Sequence, residues 1–294
     1  MNPNLTRGIL FFMRTFGKLL PDYTFVKLEF LLFMNKRLNL EKPTTFNEKL
    51  QWLKLYFRKP ELTTMVDKVE AKKYVASKIG TKYIIPTIHV WNNLNEIDLS
   101  MMPKQFVLKA TNGGGGSGVI VCKNKDEIDI KQVKRKLKRA LKFSPYDYFR
   151  EWPYKDITHR IIAEEYIADK NGELIDYKFT CTNGTAHNVM LCLDRSSGNT
   201  KFYFFDKNWN LLRINIRGKN APNNFSLPKP PNIDKMFEIA AELSKNLPFA
   251  RIDLYNVDGK IYFGEITFFP NSGFDKNLLP ETDLSFGSLI QLPN

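Results

Sequence analysis

Residues 105–121 read QFVLKATNGGGGSGVIV. Two runs of β-branched and apolar residues enclose four consecutive glycines, with a fifth after Ser117. Glycine loses more backbone entropy on ordering than any other residue, so such a run weakens a fold unless a flexible, closely approaching backbone is wanted. A Walker A loop would need a lysine after the last glycine and a helix behind it, and a Rossmann fingerprint also opens a helix. Here Val119 opens a strand. What remains is a strand–loop–strand with two readings. Its amides close over an anion because no Cβ blocks the approach, with Lys109 on the strand that enters the loop, or it is a mobile surface hairpin. The stretch alone leaves both open.

The complementary half lies at residues 251–274, RIDLYNVDGKIYFGEITFFPNSGF. Asp258-Gly259 between alternating runs is a two-residue hairpin signal. Arg251 and Asp253 share a face, since side chains at i and i+2 point the same way, and Glu265 and Thr267 do likewise on the partner strand. Two carboxylates beside a guanidinium are either an ordinary surface pair or a site for one or two Mg²⁺ ions bridging nucleotide phosphates. A basic glycine hairpin and a carboxylate hairpin each supply what the other lacks.

The remainder of the 294 residues sets bounds. A formal charge of +13 and a pI near 9.5 favour acidic partners. Cys122, Cys181 and Cys192 stand in no metal or redox spacing and fit free thiols in a reducing cytoplasm. No apolar run approaches the ~20 residues of a membrane span, and the N-terminus is read as lacking a signal peptide. His89, His159 and His187 form no zinc pattern, and no RNA-binding signature accompanies the aromatic residues, so no nucleic acid is expected. Residues 1–60 read as helices with eleven basic and four acidic residues. The stripe Ile9, Phe12, Met13, Phe16 allows an anionic membrane surface as a partner, against plain packing on the body. Residues 64–80 read as one helix closed by Gly80 and 129–143 as a strongly basic helix. Asn183-Gly184 and Asp258-Gly259 mark hairpins. Strand hairpins with intervening helices point to an α+β fold.

The stretches DKVEAKKYV, FVLKATNGGGGSGVIV, AEEYI, DYKF with a later LDR, FDKNWN, and RIDLY followed by GEITFFP resemble, in that order, the TupA-like family of ATP-grasp proteins found with polysaccharide clusters. The likeness covers about residues 46–274 and implies an ATP-grasp fold: a helical segment 1–60, a first part 61–165 with the phosphate lid, and a second part 166–294 with the metal hairpin. It assigns Lys68 and Lys109 to the α/β-phosphates of ATP, and Gly113, Gly114, Gly115, Gly116, Ser117 and Gly118 to the lid. It assigns the backbone of Glu164, Glu165, Tyr166 and Ile167 to adenine, and Asp176 to the ribose. Lys178 falls near the γ-phosphate or acyl group, Asp253, Glu265 and Thr267 at Mg²⁺, and Arg251 at the catalytic arginine. The threonine stands where many relatives have asparagine, which leaves the metal count open. A short helical segment also stands where many have a large Rossmann-like domain, which leaves the acceptor open. The implied activity is a cytoplasmic carboxylate–amine ligase acting through an acyl phosphate in surface-polysaccharide biosynthesis. It would sit at the inner face of the membrane or beside polysaccharide assembly proteins. The alternatives are a kinase of a sugar or glycan hydroxyl, and a glycosyltransferase.

Overall fold

The computed structural model describes residues 17–113, 116, 118–170, 172, 174–193 and 200–293. The stripe at residues 9–16 and the lid residues Gly114, Gly115 and Ser117 lie outside the described residues. Helices α1 (Asp22–Met34) and α2 (Phe46–Tyr56) come first. The start of α2 is fixed by a capping box: Thr45 Oγ1 accepts from Glu48 N and Glu48 Oε2 accepts from Thr45 N, satisfying two amides that a helix end otherwise strands. The helix read over 64–80 is two helices, α3 (Pro60–Val66) and α4 (Glu70–Ile79). The break is chemical. Asp67 Oδ1 accepts from Val69 N at 2.8 Å and from Glu70 N at 3.1 Å, so the chain restarts on a carboxylate cap.

Four strands form the first sheet: β1 (Thr87–Trp91), β2 (Phe106–Ala110), β3 (Val119–Cys122) and β4 (Ile161–Glu165). Their order is β1-β4-β2-β3, all neighbours antiparallel. Helix α5 (Ile130–Leu141) lays Val133 and Leu137 on this sheet, against Phe106, Leu108 and Ile161. The short α6 (Pro145–Phe149) follows.

The second sheet has six strands: β5 (Asp176–Thr182), β6 (Thr185–Leu193), β7 (Lys201–Phe205), β8 (Leu211–Leu212), β9 (Ala250–Val257) and β10 (Lys260–Thr267). They run antiparallel in the order β10-β9-β5-β6-β7-β8. Between β8 and β9 come α7 (Ile216–Lys219) and α8 (Ile233–Leu243). The apolar face of α8 buries Ile233, Met236, Phe237, Ala240 and Leu243 over Phe179 and Ile252, each large side chain contributing about 1.5–3 kcal/mol. Both two-residue turns have the expected left-handed pair, φ 47° and 82° at Asn183-Gly184 and 48° and 87° at Asp258-Gly259. The chain closes with α9 (Pro280–Leu289), which returns to α2. There Asp283 Oδ1 accepts from Asn47 N and Asn47 Nδ2 at 3.0 and 2.9 Å, so α2 is built into the body. Among the described residues no helix is long and apolar enough to cross a membrane.

Candidate active site

A narrow cleft opens between the two sheets. Lys109 of β2 and Glu164 of β4 enter from the first sheet, and Phe263, Gly264, Glu265 and Ile266 of β10 from the second. Lys68 from the α3–α4 turn, Lys72 of α4 and Tyr154 complete the polar lining.

Glu164 is 3% exposed and holds two lysines. Its Oε2 lies 2.5 Å from Lys109 Nζ and its Oε1 2.5 Å from Lys72 Nζ. Lys72 also donates to Ile85 O and Thr87 Oγ1, both at 2.8 Å, so it pins α4 to the start of β1. Burial pushes the Glu164 carboxyl up, but the two ammonium groups outweigh it and hold it below its ordinary value. Lys68 donates to Gly113 O at the root of the glycine loop. Burial lowers its pKa, against the pull of Glu265.

On the second sheet five side chains meet on three strands. Lys178 of β5 is opposite Asp253 of β9, which is opposite Glu265 of β10, while Arg251 is opposite Thr267. Arg251 Nε and Nη2 donate to Asp253 Oδ1 and Oδ2 at 2.7 and 2.8 Å, and Nη2 also reaches Glu265 Oε1 and Thr267 Oγ1 at 3.1 Å. Lys178 Nζ donates to Asp253 Oδ2. Burial pushes Glu265 up, but Lys178, Arg251 and Lys68 together hold it down at about 2. Asp253, only 1% exposed, is pushed up by burial despite Arg251 and Lys178. The face-sharing read from i, i+2 spacing holds on both strands, but bringing the two faces together needs one more feature. Counting back from the two-residue turn would set Glu265 opposite buried Ile252. A β-bulge at Gly264 shifts the register between Phe263 and Glu265 and turns the carboxylate onto the face of Asp253. Glycine suits the close approach there: a Cβ would stand 3.0 Å from Asp253 O and 3.1 Å from the Tyr255 ring, tighter than ordinary contact.

Lys68, Lys109, Glu164 and Glu265 thus line one cleft, and Arg251, Asp253, Lys178 and Thr267 join it through Glu265. Glu165 is exposed at the end of β4, and Tyr166 and Ile167 follow it. Asp176, expected at the ribose, is 2% exposed on β5 between Cys192 and Tyr255 and is not among the residues lining the cleft. Lys72 and Tyr154 were not legible as site residues. Lys72 stands four positions after Lys68, the one signal that could have found it. Burial, with Glu151 and Glu265 nearby, raises the Tyr154 phenol well above its ordinary value, so it stays neutral.

The donor set suits a hard cation in part. Asp253, Glu265 and Thr267 offer oxygen only, yet among the described residues no three His, Cys, Asp or Glu side chains converge. Two carboxylates leave the rest of an Mg²⁺ shell to phosphate oxygens and water. Lys68, Lys178 and Arg251 outnumber those carboxylates, so the cluster favours an anionic ligand.

The glycine loop is tied to α5 at both roots. The Nδ2 of Asn112, fully buried, donates to Ala140 O, Leu141 O and Phe143 O at 3.2, 3.3 and 2.8 Å, satisfying carbonyls at the helix end. A Cβ on Gly118 would stand 2.9 Å from Ala140 Cβ. Gly116 has φ 76°.

Among solved structures, the chain is similar to the D-alanine–D-alanine ligase of Helicobacter pylori at 16% identity, covering 84% of this chain and 69% of that one, with a TM-score of 0.46. The Bacillus anthracis D-alanine–D-alanine ligase complexed with ATP follows at 14%, 78% and 63%, TM-score 0.44. The Staphylococcus aureus N5-carboxyaminoimidazole synthetase complexed with ADP stands at 17%, 86% and 61%, TM-score 0.46. The chain therefore spans less than two thirds of the latter two proteins. A comparison with curated proteins finds no match. The family described as TupA-like ATPgrasp matches residues 48–291, from within α2 to past the end of α9 and so across both sheets and the cleft between them; the chain belongs to the TupA-like ATP-grasp family.

Proposed function

We propose that the protein is an ADP-forming carboxylate–amine ligase. A carboxylate oxygen attacks the γ-phosphorus of ATP and ADP leaves. An amine then attacks the acyl phosphate, forming an amide and releasing phosphate. The observation that carries this reading is the Arg251 guanidinium, held by Asp253, Glu265 and Thr267 beside the cleft that Lys68 and Lys109 enter. Its position is set before any substrate arrives, so it stabilises a developing tetrahedral oxyanion without reorganisation. Phosphoryl transfer to a hydroxyl has less need of such a group.

Lys68 and Lys109 would take the α/β-phosphates, Lys109 turning from Glu164 while Lys72 keeps that carboxylate paired. The backbone at 164–167 would meet adenine, residues 113–118 would close over the phosphates, and Lys178 would orient the γ-phosphate or the acyl group. Asp253, Glu265 and Thr267 would hold Mg²⁺ against the phosphates; when bound it supplies charge neutralisation there. The +13 charge suits an acidic acceptor, and the product is proposed to be an amide in a surface polysaccharide made in the cytoplasm.

The test supplies Mg-ATP with pooled amino acids and uronates and follows ADP and phosphate separately, with hydroxylamine as a trap. Equal ADP and phosphate with a hydroxamate is the expected result. A phosphorylated hydroxyl without free phosphate would make the protein a kinase. Nucleotide-sugar binding with indifference to ATP would make it a glycosyltransferase.

A further inference from the structure

The basic helix α5 takes no part in the cleft, yet it borders a second concavity. An open groove runs between α5 and β3, the edge strand of the first sheet. Ile120, Val121 and Val133 line it with apolar surface, and Arg135, Lys136 and Arg139 with positive charge. Val121 is 53% exposed. The helix carries six cations and no acid. Among the described residues, none of Lys131, Lys134, Arg135, Lys136, Lys138 and Arg139 has a carboxylate within 4 Å, whereas Lys18, Lys73, Lys235 and Lys245 on other exposed surfaces do. The charge on α5 is therefore uncompensated within the described chain, and it is concentrated beside an apolar trough.

The spacing narrows the ligand. Arg135 and Arg139 are four residues apart on α5, about 6 Å along the axis. An extended peptide repeats its side chains on one side every ~6.7 Å, so carboxylates at alternate positions meet both guanidinium groups. The residue between them faces the other way, toward the exposed Val121 of β3. Addition through the main chain is restricted, because Val119 N–H already donates to Gly116 O and Val119 O accepts from Lys136 Nζ at 2.8 Å. Recognition then rests on side chains. Among the described residues no aromatic ring lines the groove, and single-stranded nucleic acid gains its affinity from such rings.

The geometry points to a docking site on α5 and β3 for an extended acidic peptide with Asp or Glu at alternate positions and apolar residues between. This site is separate from the cleft and stands independently of the ligase reading.

Fluorescence anisotropy at low salt tests it with a labelled octapeptide of alternating Glu and Val, against an isomer with its four Glu together. The wild type binds the alternating peptide more tightly. Arg135→Ala with Arg139→Ala, both exposed positions, weakens it about tenfold, two rim ion pairs each contributing a few-fold. Lys235→Ala with Lys245→Ala leaves it unchanged. Circular dichroism checks that both variants are folded. Absence of binding, equal binding of the isomer, or undiminished binding by the arginine variant overturns the assignment. So does tighter binding of oligo-dT or phosphatidylserine vesicles that the arginine variant loses.

Discussion

Glu265 offers a direct test of the ion lattice in the cleft, through Glu265→Gln and pH. Its carboxyl lies at about 2, against an ordinary value of 4.5, because Lys178, Arg251 and Lys68 overcome the cost of burial. Holding it that far below its ordinary value corresponds to roughly 3 kcal/mol of differential stabilisation. The side chain is 33% exposed, and water screens part of that field. The contribution is therefore discounted to about 2 kcal/mol. A group whose pKa is depressed in the folded state stabilises it above its unfolded pKa, and loses that contribution as pH falls through the folded value. Wild type should thus exceed Glu265→Gln by about 2 kcal/mol near pH 6, with more than half of the difference gone by about pH 3. Asp253 runs the other way. Its carboxyl is raised, so its own ionisation lowers stability as pH rises; burial, the main cause, is common to both proteins, and only the smaller push from the Glu265 charge is lost in Glu265→Gln. Urea unfolding at a series of pH values reads the quantity directly. A difference that stays flat from pH 6 to pH 3, or a variant as stable as wild type throughout, refutes the lattice.

Lys72→Met should raise the KM for ATP about tenfold with a smaller change in kcat, because Glu164 would keep Lys109 as its one remaining ammonium partner, and that pair resists being broken; steady-state kinetics decides, and an unchanged KM refutes it. Lys178→Met should lower kcat by about 10²-fold or more, the scale of losing one preorganised charge at a reacting centre, read as ADP release with hydroxamate formation. Gly118→Ala should cost about 1–3 kcal/mol in urea unfolding, since its Cβ would sit 2.9 Å from Ala140 Cβ and 3.0 Å from Ala110 Cβ. Ala140→Gly should recover part of that loss, and its failure to do so would place the strain elsewhere.

The features legible from sequence were those set by nearest neighbours. Asn183-Gly184 and Asp258-Gly259 gave their turns because few residues accept two successive left-handed conformations. The strands beside the glycine loop followed from local alternation, and Arg251 with Asp253 from strand period. What escaped depended on distant partners. Adjacent strands in sequence would suggest pairing β1 with β2, yet β4 lies between them, and that insertion brings Glu164 to Lys72 and Lys109. Helical spacing continues smoothly through Asp67, so the break there is visible only once its carboxylate is seen capping α4 and pairing with Arg160 Nη2 at 3.0 Å. Helices α6 and α9 do open on local start signals, Pro145 behind the Ser144 cap and Pro280 ahead of Glu281, but α6 has only five residues and α9 shows little apolar periodicity to go with them. Asn112 read as part of a polar loop, though it is a buried clamp on three carbonyls.

The extra residue at Gly264 makes the site a matter of odd and even. Strand β10 between its turn and Glu265 has a length whose parity decides whether a carboxylate faces the cleft or the core beneath α8. No point substitution can change that parity, whereas deleting one residue between Tyr262 and Glu265 would exchange every following side chain at once: Glu265 and Thr267 inward, Ile266 outward. Sequence drift along β10 is therefore constrained in length more strictly than in composition. Insertions elsewhere, as in the loop at 221–232, leave the alignment of the two carboxylates untouched.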